Sequence, residues 1–218
     1  EHGVSVAEVE DRDGRATLDF EDPEGQRLAL IDDAGTGDPP IAWERSPVPE
    51  EHQIRGLGPI EMSVPDPGPT RDVLLGVMGM REAREYQRGD NTEVIVFEMG
   101  AGGGPHAELH VAVEPGKPVV RPGAGGVHHV AFRVRNDEYE GWAARLNEMR
   151  IRNSGPIDRY YFRSLYFREP NGILFELATD GPGFAVDEDA ATLGEEIALP
   201  PFLESQRDRI VAGLRPIE

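Results

Sequence analysis

The chain has 218 residues, no cysteine and a formal charge of −19. That length allows one large or two small domains. The missing cysteines exclude disulfides, thiolate catalysis and Cys-ligated zinc, and so acidic a surface repels phosphate backbones and argues against a nucleic-acid partner. No apolar run is long enough to span a membrane and no secretory signal pattern is present, so a cytoplasmic protein with no membrane partner is expected. Lys117 is the only lysine. An acidic, lysine-poor surface fits solubility in high salt, where like charges are screened, and fits an Arg-biased genome equally well.

Residues 11–33, DRDGRATLDFEDPEGQRLALIDD, read as strand, tight turn and strand. Pro at the second turn position and Gly at the fourth suit a type I turn. A linker rich in Pro, Gly and acid follows over 34–55. The stretch 56–64, GLGPIEMSV, predicts a strand, and Val73, Leu74, Val77 and Met78 then mark an amphipathic helix. The unit opened by that strand runs to 115, and a Gly/Pro joint occupies 116–125. The next strand, GGVHHVAFRV (125–134), leads into a helix marked by Tyr139, Trp142, Leu146 and Met149, spaced three and four apart as one helix face requires. This unit covers 126–180. The extension over 181–218 opens on Gly181-Pro182-Gly183, turns acidic, and ends in a candidate docking helix carrying Phe202, Leu203, Ile210, Val211 and Leu214.

The chain repeats itself. Residues 158–180, DRYYFRSLYFREPNGILFELATD, lie over 11–33, with Leu18 on Leu165, Phe20 on Phe167, Pro23 on Pro170 and Gly25 on Gly172. GVHHVAFRV (126–134) lies over 56–64. Segment 1–33 therefore reads as the closing half of a unit whose opening strand and helix are not in the chain, and the expectation is the C-terminal part of a longer protein.

A strand–helix–three-strand (βαβββ) unit in tandem, with HHVAFRV opening one copy and GILFELATD closing it, resembles the vicinal oxygen chelate superfamily of glyoxalases, bleomycin-resistance proteins and extradiol dioxygenases. The tail IDRYYFRSLYFREPNGILFELATDGPGFAVDED, followed by LGEEIALPPFLESQR, is similar to the four-module ring-cleaving dioxygenases of hydroquinones and catechols. The resemblance implies an α+β fold: tandem βαβββ modules forming curved mixed sheets, with the helices outside. It also implies a metal held by two His and one carboxylate, with His129 and Glu176 matching two of the three ligands. His128 matches an active-site histidine that does not ligate, and Arg159 and Tyr166 match residues that contact substrate or oxygen. The ion implied is Fe(II), with Mn, Zn or Ni as alternatives. Two His and a carboxylate leave coordination positions open, as non-haem Fe(II) oxygenases require. The implied partners are a small aromatic substrate and O2, and either a homo-oligomer or a missing N-terminal module completes the site.

Strand alternation alone puts His129, Ala131 and Arg133 on one face and Val130, Phe132 and Val134 on the other. His128 and His129 cannot share a layer unless the strand bulges. Glu176 alternates with an apolar row, and burying such a carboxylate requires a partner. A metal shared with His129 is one such partner; Arg133 or Arg159 is another. The counterpart of Glu176 in the first unit is Ala29, and that of His129 in the 56–115 unit is Pro59. A third ligand is not evident: His106 and His110, four apart in what reads as a strand, are weak candidates, and His2 and His52 read as loop residues. Two other function classes stay open: a glyoxalase-type metal-dependent isomerase or lyase, and a non-catalytic small-molecule binding module.

Overall fold

A computed structural model describes residues 4–37, 39–118, 123 and 126–215. His2 and most of the expected 116–125 joint lie outside the described residues. The chain forms two compact units, Glu1–His128 with Glu169–Gly172, and His129–Arg168 with Ile173–Glu218. No helix among the described residues is long and apolar enough to cross a membrane.

In the first unit, β1 (Glu10–Arg12), β2 (Arg15–Glu21) and β3 (Arg27–Ile31) form an antiparallel sheet in sequence order. The turn between β2 and β3 closes with Gly25 N–H donating to the Asp22 carbonyl at 3.0 Å, and Gly25 takes φ +82°, where a side chain would be strained. Next come β4 (Ile60–Val64), α1 (Pro67–Asp72) running on as a π turn over Val73–Val77, β5 (Arg81–Gln87), β6 (Glu93–Glu98) and β7 (Glu108–Val113). Asp66 caps α1, accepting from Gly68 N–H at 3.0 Å, and Pro67 opens the helix where no N–H is needed. The sheet order is β4-β7-β6-β5, with β4 and β7 parallel. A parallel pair needs a long crossover, which the helix and two intervening strands provide.

The second unit repeats this plan with β8 (Val130–Val134), α2 (Tyr139–Glu148), β9 (Ile157–Asp158), β10 (Arg163–Arg168) and β11 (Leu174–Thr179), in the order β8-β11-β10-β9. Again the first and last strands are parallel. The α+β reading, tandem modules with mixed sheets, is borne out. Val130, Phe132, Leu165, Phe167, Phe175 and Leu177 are buried on one face, and α2 adds buried Tyr139, Ala143 and Leu146. Phe175 stacks edge-on against both Phe132 and Phe167, with centroids 5.0 and 5.5 Å away. In the extension, α3 (Arg207–Gly213) is short, and Phe202, Val211 and Leu214 are exposed.

A polar network joins the two sheets of the first unit. Glu108, on β7, has a fully buried side chain. Arg15 grips both its carboxylate oxygens at 2.6 and 2.8 Å, Arg84 reaches it at 3.0 Å while also pairing with Asp13, and His110 Nε2 lies 3.0 Å away. Burial pushes the Glu108 carboxyl up, but the hydrogen bonds from Arg15, His110 and Arg84 prevail and hold it at about 2. Burial lowers the His110 imidazole against the pull of Glu108. Both shifts leave the folded state holding fewer protons than the unfolded chain under acid, so their joint contribution to stability falls as the pH drops. Glu108→Gln should cost about 3 kcal/mol or more at pH 7, because two guanidiniums lose their buried anion. The stability gap between wild type and variant, measured by chemical denaturation across pH, should narrow from about pH 4.5 downward as wild-type Glu108 itself takes up a proton.

Candidate metal and active site

Glu176 sits on β11, a central strand, and is only 4% exposed. Its strand neighbours Phe175 and Leu177 face the apolar core, so alternation turns Glu176 to the other face. The flanking strands then decide what meets it. On β10, Tyr166 lies directly opposite Glu176, and Ser164 lies two residues earlier on the same face. On β8, Ala131 lies opposite, and its small side chain leaves room for His129, two residues earlier.

The side chains converge accordingly. His129 Nε2 lies 2.7 Å from Glu176 Oε2. Oε1 of the same carboxylate accepts from Ser164 Oγ and from the Tyr166 hydroxyl, each at 2.5 Å. Arg159 donates to the Tyr166 hydroxyl oxygen at 3.3 Å, its guanidinium carbon 5.5 Å from the ring centroid. The His129 and Tyr166 rings meet edge-on, with centroids 5.9 Å apart. Arg159 is aimed by a tight turn: its N–H donates to the Phe162 carbonyl at 2.8 Å, and Tyr160 takes φ +71° with its N–H held by Asp158 Oδ1 at 2.7 Å. Positive φ at a bulky residue is uncommon and strained.

Four of the five residues singled out from the sequence thus form one cluster: His129, Glu176, Tyr166 and Arg159. His128 is exposed, precedes β8 and groups with the first unit. Strand pairing begins at Val130 and its register with β11 is regular, so β8 itself holds no bulge and both histidines precede the paired residues. The arginine alternative for Glu176 has a clear outcome. Arg133 pairs with Asp180 at 2.6 Å on the surface, and Arg159 reaches the carboxylate only through Tyr166. Ser164 was not among the sequence candidates, although standing two residues from Tyr166 in a strand was enough to place it on the same face.

The donor set of His129 and Glu176 suits a divalent ion. Two ligands bound at about 2 Å and at a right angle sit roughly 3 Å apart, close to the 2.7 Å seen here, where a proton can stand between them. Among the described residues no third His, Asp or Glu joins them. The one three-member group of such side chains among the described residues is Asp13, Glu108 and His110, whose ligand atoms lie within 4.8 Å of one another. Their types and spacing would suit a cation, but Arg15 and Arg84 already meet the two carboxylates. His110 spends Nε2 on Glu108 and Nδ1 on the Tyr86 hydroxyl, 3.1 Å away. It therefore has no ring nitrogen left over for a ligand role. His106, unlike His110, is not on the strand: it lies in the turn Pro105–Ala107, with Nε2 2.9 Å from Asp33 and Nδ1 2.8 Å from the Leu57 carbonyl.

Residues 56–177 match the model of the glyoxalase/bleomycin resistance protein/dioxygenase superfamily. The chain belongs to that superfamily. Within it, the chain is 48% identical over 220 residues to the Bacillus subtilis (strain 168) protein named "Putative ring-cleaving dioxygenase MhqA", an alignment covering all of this chain and 69% of that one. It is 28% identical over 218 residues to the chlorohydroquinone/hydroquinone 1,2-dioxygenase of Sphingobium indicum, covering 95% of this chain and 64% of the relative. A crystal structure of a dioxygenase, so named as putative, from Bacillus subtilis superposes with a TM-score of 0.82 at 31% identity, covering 99% of this chain and 66% of that one. The chain therefore spans about two thirds of the length of these relatives, and they place it in a family of enzymes named for ring cleavage.

Tyr166→Phe removes one of the two donors on Glu176 Oε1 and leaves Ser164 as the other. A hydrogen bond to a charged group is worth about 1.5–3 kcal/mol, so the variant should lose that much in urea denaturation with its m-value unchanged.

Proposed function

We propose that the protein is a non-haem Fe(II)-dependent, extradiol-type dioxygenase that opens the ring of hydroquinone- or catechol-like aromatics with O2. The observation that carries this reading is the approach of His129 Nε2 to Glu176 Oε2, on the face of the second unit's sheet opposite its apolar core. The names of the relatives support ring opening by a dioxygenase. His129 and Glu176 would hold the metal, and one further ligand, from another module or a second copy of the chain, would complete the set. Bound there, the ion supplies Lewis acidity and one-electron chemistry between an aromatic diol and O2, which organic side chains do not offer.

The remaining residues have roles set by their chemistry. Glu176 contributes negative charge, and two hydroxyls and an imidazole meet its burial cost. Arg159 is exposed, and its guanidinium can stabilise an anionic oxygen on a bound diol or ring-opened product. Tyr166 commits its proton to Glu176, so it orients the carboxylate first; contact with a bound oxygen requires that bond to be given up. His128, next to His129 in the chain but outside the cluster, is the candidate acid/base, a role that requires its side chain to turn toward a bound diol.

The test is oxygen uptake by the metal-free full-length protein reloaded separately with Fe(II), Mn(II), Zn(II) or Ni(II), with hydroquinone and catechol as substrates. Fe(II) should restore stoichiometric O2 consumption with loss of the aromatic ultraviolet band. His129→Ala and Glu176→Ala should each lower kcat/KM by more than about 100-fold, the upper range for loss of a group that merely supports a ligand. Near-normal activity in either variant would overturn the assignment. Isomerisation of a thiohemiacetal with Zn(II) or Ni(II), without oxygen uptake, would put a glyoxalase-type reaction in its place.

A further inference from the structure

Ser164 has 0% exposure, and its hydroxyl is spent inside the site. Its Oγ donates to Glu176 Oε1, the oxygen that also receives the Tyr166 proton. The other oxygen, Oε2, is the one facing His129. Ser164 is itself fixed from the core side: the buried Tyr139 hydroxyl of α2 donates to its carbonyl at 2.6 Å. The strand on which it stands is therefore anchored to the helix behind it as well as to β11.

This arrangement divides the carboxylate into two unequal oxygens. An ionised carboxylate can accept through both oxygens and can bind a cation through one or both. Two hydroxyl donors on Oε1 oppose any rotation that would turn Oε1 toward a cation. With Tyr166 alone, a donor on a long side chain that is also tied to Arg159, the carboxylate could swing.

We propose that Ser164 is a positioning residue which, together with Tyr166, reserves Glu176 Oε1 for hydrogen bonding and leaves Oε2 as the single coordinating oxygen. This rests on the metal-binding reading of His129 and Glu176 and adds to it the means by which the carboxylate is kept to one-oxygen binding. The consequence is that the second oxygen does not take a coordination position that substrate or O2 needs.

The test uses Co(II), whose visible absorption reports coordination number, titrated into the metal-free full-length protein. Ser164→Ala removes the hydroxyl, Ser164→Cys keeps the size but donates only weakly, and Ser164→Thr keeps the donor. Circular dichroism and thermal melts establish that each variant is folded. Ser164→Ala and Ser164→Cys should weaken Co(II) binding by about 10–100-fold, as loss of a partner to a ligating group does. Both should shift the visible bands toward a different coordination number, and Ser164→Thr should restore wild-type affinity and spectrum. If Ser164→Ala and Ser164→Cys bind Co(II) with wild-type affinity and spectrum, the role of Ser164 is overturned while the metal site stands. If the wild type gives no Co(II) spectrum that His129→Ala abolishes, the metal reading itself fails, and the role of Ser164 falls with it.

Discussion

A carboxylate buried on a sheet face must be met by donors, and the surroundings of Glu176 follow from that requirement. An unpaired buried charge would cost several kcal/mol. Glu176 lies on a central strand, so it has neighbours on both sides. The antiparallel neighbour β10 brings Tyr166 and Ser164 through its alternation, and the parallel neighbour β8 brings His129. Only a crossover connection makes β8 and β11 parallel partners, so helix α2 is a precondition of the site even though it packs on the far side of the sheet. The apolar face carries the core and the opposite face carries the chemistry, and strand parity keeps the two apart.

The sheet of the first unit shows what the same scaffold does with a different residue. His110 lies opposite Glu61 and Val96, just as Glu176 lies opposite Ala131 and Tyr166. It is the structural counterpart of Glu176. Around it, however, the hydroxyl comes from Tyr86 on β5, and Glu108, Arg15, Arg84 and Asp13 close a network in which each charge faces an opposite one. The guanidiniums take the place that a cation would fill. Architecture therefore fixes where a functional face lies, and the identity of four or five side chains decides whether it is a site or a clamp.

Much of this was legible in the sequence because it obeys short-range rules. The period of two separates His129 from Val130 and Glu176 from Phe175. The two Pro-x-Gly turns announce the β2–β3 and β10–β11 hairpins, both of which close with the expected hydrogen bond. What escaped depends on distance along the chain. His110 was not matched to Glu176 because the connection before β7 is longer: Val96 and His110 are paired across 14 positions, 110 − 96, and Tyr166 and Glu176 across 10, 176 − 166. Ser164 is silent for another reason, since a serine in a strand carries no chemical signal until its partner is known. His106 looked like a strand residue, and Pro105 was the warning that a turn precedes β7.

Arg159 shows how a precise position can be obtained outside regular structure. It leaves the short strand β9 in a turn that an L-residue resists, since Tyr160 takes φ +71°. Such a conformation persists only where its surroundings over-determine it. Here the Asp158 carboxylate holds the Tyr160 amide, the Phe162 carbonyl holds the Arg159 amide, and the edge-on contact of Tyr160 with Tyr161, centroids 4.9 Å apart, supports the ring. A relaxed turn would leave the long arginine side chain free to follow solvent. The strained one returns the chain to β10 within a few residues and carries the guanidinium to the Tyr166 hydroxyl. The cation is thereby tied to Glu176 through one intervening group rather than in direct contact. A direct ion pair would place the guanidinium on the carboxylate itself, whereas a connection through Tyr166 engages Oε1 and leaves Oε2 to face His129.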